Sequence, residues 1–331
     1  MAGPGRLASI VLLAVALLSP AVLADATTEP KAVSLPATPA VLALKAIGWQ
    51  SLEYSRSNIW ASVSSRIVLH EVPAAALERR PLFDAEAVAG EALTPAGGRL
   101  LLLQAENQAA SNRERLSSWF DPSANTLLQR CRVAYGRSDS RAQCYLYEDA
   151  AVWRERRERG GNGGPDEPEW VQGGAKTAAV PDWPVSSRVE LARPAAIPAD
   201  AGLTSPMLLL PLASAAPLEQ TGDSQTVFVH TDHDFYRVTL RLKGRETIDV
   251  EYRLTAADGA IRKVVGQART LVVALEAHAV GAARDEFTLL GMSGSLQLLL
   301  DPATRVPLAI RGNAPWIGQT ELRLDGASLV E

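Results

Sequence analysis

Strand periodicity dominates this chain. Ala61, Val63, Ile67 and Leu69 fall on one side of an extended segment, and Ser62, Ser64, Arg66 and His70 on the other. That period of two is what a half-buried strand requires, and Pro73 closes the segment. A short helix fits residues 74–92, and a fully buried strand fits the run Leu100, Leu101, Leu102, Leu103. Strands are expected at 115–120, 126–135 and 142–148. The C-terminal third alternates most clearly. Tyr236, Val238, Leu240 and Leu242 are interleaved with Arg237, Thr239, Arg241 and Lys243, and Ile248, Val250, Tyr252 and Leu254 with Thr247, Asp249, Glu251 and Arg253. Read as a hairpin, these two runs put Leu242 opposite Ile248, with Gly244, Arg245 and Glu246 as the loop and Arg241 facing Asp249. Asp258-Gly259 marks the next turn, and further strands follow at 261–268, 271–277, 286–290, 295–300, 308–311 and 318–329. Consecutive strands with short turns and little helix between them imply an antiparallel sheet.

Two stretches break this pattern. Residues 25–47 are rich in Ala and Pro and read as a linker. Residues 156–200 hold Gly160-Gly161-Asn162-Gly163-Gly164-Pro165 and later Pro181, Pro184, Pro194 and Pro198, so an irregular loop is expected, with Trp170 and Trp183 as anchors. Residues 204–215 suit a short apolar helix that tolerates Pro206 in its first turn. The domain reading is therefore a leader at 1–24, a linker at 25–47 and a β domain at 48–331. That domain divides into a first β half at 48–155, the loop at 156–200, and a short helix with a second β half at 201–331.

The N-terminus adds a compartment. Arg6 precedes an apolar run from Leu7 to Leu18 interrupted only by Ser9, then Pro20 and Ala21-Val22-Leu23-Ala24. A charged start, a greasy middle of about twelve residues and a small-residue exit describe a secretory signal peptide cleaved after Ala24, with Ala26 as second choice. The run is too short to span a bilayer, no later segment reaches that length, and no cysteine near the exit offers a lipidation site. A periplasmic protein without a transmembrane segment after cleavage is expected. The 331 residues carry a net charge of −4, and only Lys31, Lys45, Lys176, Lys243 and Lys263 are lysines, so nothing favours nucleic acid as a partner.

Cys131 and Cys144 are the only cysteines. A hairpin with residues 136–139 as its loop sets Tyr135 opposite Ser140, Val133 opposite Ala142 and Cys131 opposite Cys144, on a face shared with Leu127 and Leu146. In an oxidising compartment they form a disulfide. His230-Thr231-Asp232-His233-Asp234 is the densest set of potential metal ligands, but it reads more simply as a solvated turn leading into the strand at Tyr236. Gly291-Met292-Ser293-Gly294-Ser295 resembles a serine elbow only superficially, since its context is strand–turn–strand. Arg154, Arg156, Arg157 and Arg159, interleaved with Glu155 and Glu158, read as a solvated strand end, with a contact to an anionic headgroup or a partner as the sharper alternative. Asp121-Pro122 with Leu128 recurs as Asp301-Pro302 with Leu308, either as a duplicated β unit or as a turn opener used twice. No catalytic residues, cofactor site or metal site is assigned.

Several segments carry a resemblance. They are Phe287-Thr288-Leu289-Leu290-Gly291, Leu298-Leu299-Leu300-Asp301, Thr304-Arg305-Val306-Pro307-Leu308, Pro315-Trp316-Ile317-Gly318 and, earlier, Trp119-Phe120-Asp121-Pro122 with Leu128-Gln129-Arg130 and Tyr145. Together they resemble a family of exported proteobacterial proteins of unknown function with curved antiparallel sheets, similar to the half-barrels of periplasmic lipoprotein carriers. The resemblance implies fold and compartment and brings no catalytic residues. The cysteine pair and the Gly/Pro loop lie outside it.

The resulting expectation is an all-β protein whose large curved antiparallel sheet forms an incomplete barrel with one or two short helices. It is expected to be a non-enzymatic periplasmic binding or carrier protein whose partner is a lipid or lipoprotein-like ligand, apolar or amphiphilic. The alternative is a structural module that binds another protein in envelope assembly.

Overall fold

The computed structural model describes residues 42–57, 62–88, 90–109, 112–136, 140–159, 180–283, 285–314 and 318–330. Their first half is a meander of β1 (Trp49–Ser57), β2 (Ser62–Pro73), β3 (Arg99–Ala109), β4 (Asn112–Asp121), β5 (Thr126–Tyr135), β6 (Ser140–Tyr147), β7 (Ala151–Glu158) and β8 (Val185–Ala192). Their second half holds β9 (Leu203–Thr204), β10 (Ser224–His230), β11 (Phe235–Thr255), β12 (Ile261–Ala279), β13 (Ser293–Leu300), β14 (Pro307–Ala314) and β15 (Gly318–Leu329). The helices are short: α1 (Leu44–Ile47), α2 (Ala75–Arg79) and α3 (Leu209–Ala215). All fifteen strands join one sheet in the order β8-β7-β6-β5-β4-β3-β2-β1-β15-β14-β13-β12-β11-β10-β9. Neighbours are antiparallel except β9 beside β10, and β11 also pairs in parallel with β15, linking β11 through β15 into a ring of five strands.

The sheet curls. Arg130 Nη1 on β5 donates to the carbonyl of His230 at the end of β10 (3.2 Å), although the run from β4 round to β11 separates these strands in the sheet. The main core lies on the face so enclosed, and α3 fills it. Leu208, Leu209, Leu210, Leu212 and Ala213 are all buried there, against Leu52, Ile67, Leu103, Val238 and Leu298 among others. Apart from Ser214 the helix is apolar, and its residues from Leu209 to Ser214 are all buried. Pro211 stands at its third position, where the backbone N–H has no intrahelical acceptor in any case. Its exposed C-terminal carbonyls are met by Arg305, which donates to Ser214 O (3.1 Å), Leu218 O (3.3 Å) and Ala216 O. Trp49 Nε1 donates to Ser214 Oγ (2.9 Å), which ties β1 to the helix. The enclosed face of the large sheet is thus packed with the protein's own side chains. A second core lies on the opposite face of β3 to β6, under the segment that links β2 to β3, with Leu82 and Phe83 covering Leu100, Trp119, Leu128, Cys131 and Cys144.

The cysteine hairpin has the expected register: Cys131 faces Cys144, Val133 faces Ala142 and Tyr135 faces Ser140. The disulfide is present, with Cα atoms 4.0 Å apart. Its apolar neighbour is Leu128 rather than Leu127, because a bulge against Trp119–Phe120 shifts the face of β5. The Asp-Pro similarity is one of turn geometry. Asp121 Oδ1 accepts from the backbone of Ser123 (2.8 Å), Asp301 Oδ1 from that of Ala303 (2.9 Å), and each turn ends in a left-handed residue, Asn125 or Arg305.

Several expectations need correction. Residues 286–290 form no strand beyond a bridge between Leu289 and Met292, the segments 261–268 and 271–277 are the single strand β12, and the helix placed at 74–92 is α2 followed by one 3-10 turn at Ala85–Ala87. The two C-terminal runs are not a hairpin. They form the single strand β11, so Leu242 faces Val273 and Ile248 faces Ala268 on β12. Gly244, with φ +147°, makes a bulge where a loop was read, and Arg241 reaches Glu276 (3.2 Å) instead of Asp249. The 156–200 segment is not wholly irregular: β7 runs to Glu158, and Val185–Ala192 forms β8, with residues 160–179 lying outside the described residues. The 25–47 linker ends inside α1, whose Ile47 is buried. The leader at 1–24 and the anchor Trp170 also lie outside the described residues.

Candidate functional site

Two places gather polar chemistry. The first is the 230–235 turn, where the sequence suggests solvent but His230, Asp234 and Phe235 are buried and Thr231, Asp232 and His233 half-buried. β10 delivers His230 into the main core with no exposed surface. Its ring lies 4.8 Å from that of Phe235, and its Nδ1 is 3.1 Å from the Tyr147 hydroxyl. Beyond it, Asp232 turns toward β5, 2.5 Å from Arg132 Nη1 and 3.4 Å from Arg130 Nη2, and accepts from the Tyr145 hydroxyl (3.2 Å). Arg130 sits over the face of Tyr145, its guanidinium carbon 4.3 Å from the ring centre, and also donates to the Thr231 carbonyl (2.6 Å). Arg132 is shared with Glu114 (2.7 Å), Arg154 Nη1 donates to His233 Nδ1 (2.5 Å), and Asp234 accepts from the backbone of Asp285 (3.0 Å).

These contacts set the charge states. Burial, helped by the Arg130 charge, holds the His230 imidazole well below its ordinary value, so it is neutral. Burial alone pushes the Asp232 carboxyl up, but Arg130 and Arg132 outweigh it and the net shift is downward, so Asp232 is ionised. Burial, first of all, pushes the Tyr147 hydroxyl up to about 12. The result is a tightly interlinked network, although the buried His230 Nε2 has no hydrogen-bond partner among the described residues. His230, Asp232 and Asp234 diverge to different partners, and no cluster of three or more metal-binding side chains occurs among the described residues. The cluster acts as a latch between the two halves of the sheet. The basic run on β7 is likewise committed: Arg156 pairs with Glu158 (2.7 Å) and Arg157 with the buried Glu155 (2.6 Å). Ser293 stands at the start of β13 after a tight turn bridged by Leu289 and Met292, with no helix behind it.

A neutral buried histidine leaves a pH signature. Its folded value is depressed, so its contribution is full above the unfolded value of about 6.5. It is lost as pH falls from there toward the folded value, at up to about 1.4 kcal/mol per pH unit. Urea midpoints measured between neutral pH and pH about 5 should fall in the wild type, and His230→Phe should flatten that slope.

The second place is a crevice of about 770 Å³ beside the strand ring. It opens between β11 and β15, with Ser55 and Arg56 of β1 at its edge, because β11 and β15 pair only over Arg253–Thr255 against Gly326–Ser328. Upstream of that pairing, β11 has no partner on this side from Lys243 to Tyr252 among the described residues. At the far end, Arg311 on β14 meets Glu246 on β11 (2.7 Å), so the crevice is bounded at both ends. Its apolar floor is Ile248, Val250, Tyr252, Leu308 and Leu324, and Arg56, Asp249, Glu251, Arg323 and Asp325 surround it. Gly266 faces Val250 across the β11–β12 pair and leaves the wall without a side chain there. Glu321 is neutralised by Arg311 (2.5 Å) and Arg323 (2.7 Å), whereas Asp325 has no hydrogen-bond or ion-pair partner among the described residues. An apolar base under a charged rim suits a molecule with both characters, and the volume falls within the range of small-molecule sites. The sequence does not show the crevice: the hairpin reading keeps 248–254 as a strand but folds it onto 236–242, whereas it pairs with β12 and leaves its other edge open opposite β15.

No protein-family model, curated protein or solved structure matches this chain.

Proposed function

We propose that this is an exported, non-catalytic binding protein that holds an amphiphilic envelope molecule in the crevice between β11 and β15. The observation that carries the reading is the crevice's division into an apolar floor and a charged rim, at a volume of about 770 Å³. The packed state of the face under α3 supports placing the ligand here rather than inside the large sheet. The leader-like start of the sequence and the disulfide support the periplasm as the place of action.

The test is equilibrium binding of a dansyl-labelled fatty acid below its micelle concentration, followed by fluorescence. Val250 is half-buried on the floor at the margin of the main core, so Val250→Trp should fill the crevice, and a urea midpoint measured alongside checks that the fold is kept. The wild type should bind saturably, and the variant about tenfold more weakly, ~1.4 kcal/mol. Equal affinities, or no saturable binding by the wild type, contradict the assignment.

A further inference from the structure

β8 is the outer strand of the fifteen-stranded sheet, and its second edge has no partner among the described residues. Each of its residues is exposed or half-exposed, and Val185 and Val189 stand 41% and 37% accessible. Long bare edges invite strand pairing, and proteins commonly blunt them with lysine or proline. Here Pro184 and Pro194 stand only outside the strand, and no Lys or Pro interrupts it.

The backbone direction follows from the pairing with β7. Arg193 N donates to Ala150 O (2.8 Å), in register with Ala192 opposite Ala151. Antiparallel pairs alternate between bonded and non-bonded positions. The backbone groups of Leu191 and Val189 therefore aim at β7, and those of Glu190 and Arg188 aim outward.

We propose that this edge is the interface of a homodimer, with β8 of each protomer pairing antiparallel about a twofold axis through Val189. In that register Arg188 lies opposite Glu190 of the partner subunit, and the outward backbone groups of both exchange about four hydrogen bonds around the axis. Val189 meets its own copy at a close, non-bonded position. The registers one step to either side that keep the backbone groups matched set Arg188 on Arg188 or Glu190 on Glu190, and like charges directly opposite are unfavourable. Charge thus selects one self-complementary register, as a closed twofold interface requires. Arg188 is fixed on this face through Glu155 (2.7 Å), and Glu190 has no hydrogen-bond or ion-pair partner among the described residues. The dimer is independent of the crevice, which lies on other strands.

Sedimentation velocity of the full chain tests mass, and cysteine cross-linking tests register. The wild type should sediment as a dimer at submillimolar concentration. Glu190→Arg opposes Arg to Arg twice and should weaken dimerisation about tenfold. Mild oxidation should join Val189→Cys protomers, since their Cα atoms would come within disulfide range, and should leave Val185→Cys monomeric. A monomeric wild type at all accessible concentrations overturns the proposal. So does cross-linking through Val185→Cys or Arg188→Cys that equals or exceeds that through Val189→Cys.

Discussion

Asp232→Ala should lower stability by about 3 kcal/mol. The reason is what it leaves behind. Arg130 has only 3% of its side chain exposed, and Asp232 is its carboxylate partner. Removing one member of a buried pair strands the other charge, which costs far more than the pair itself contributes. The carbonyls of His230 and Thr231 and the face of Tyr145 still hold Arg130, so the loss falls at the lower end of the usual range. Arg132 is only partly buried and retains Glu114, so it adds little. The pair can be separated from simple packing by replacing both members. Arg130→Met with Asp232→Leu removes both charges and should recover much of the loss. Urea unfolding with an unchanged denaturant dependence reports the difference. Acid adds a further check. The Asp232 value is depressed in the folded protein, so its stabilisation is complete above the unfolded value of about 3.9 and is lost as pH falls through the folded value. The single variant should show a shallower acid transition than the wild type. Equal stability of wild type and Asp232→Ala would remove the latch from the account.

Loss of the disulfide should cost a similar amount. Cys131 and Cys144 are 13 residues apart, and cross-linking a loop of this size restrains the unfolded chain by about 3 kcal/mol in the entropy model. Both residues are buried beneath Leu82 and Phe83, so their replacement also disturbs the second core. Cys131→Ala with Cys144→Ala should unfold at lower urea than the wild type, and adding reductant to the variant should change nothing. Reductant added to the wild type should reproduce the variant's loss apart from the packing change. A wild type insensitive to reductant under partly denaturing conditions would show that the bridge does not restrain the unfolded chain.

The sequence was most legible where constraints are local. The cysteine hairpin follows from loop length and side-chain alternation alone, and the three pairs read from residues 133–135, 140–142 and the cysteines occur in the structure. The helix at α3 was visible because an unbroken run of small or apolar positions, Met207 to Ala215, follows Pro206, which is tolerated in a first turn. The β11–β12 ribbon was misread because Gly244 serves equally well in a turn or in a bulge, and only the partner strand decides which. β8 was missed because its Val, Ser, Arg and Glu positions are exposed on both faces, which erases alternation. The latch had no local signal. His-Thr-Asp-His-Asp is polar enough to sit in water, and its partners Arg130 and Arg132 lie about a hundred residues away in sequence. Burial of such a turn depends on the curl of the whole sheet, which no window of sequence contains. The crevice was invisible for the same reason, since it exists only where two distant strands diverge.

The central claim is that the crevice, and not the packed face beneath α3, holds a ligand. Native mass spectrometry of protein purified from the cell envelope without detergent tests it most directly. The wild type should carry one amphiphile per chain, and Val250→Trp prepared in parallel should carry none. Adduct of equal occupancy in both proteins would place the ligand elsewhere, and bare chains in both would contradict the assignment outright.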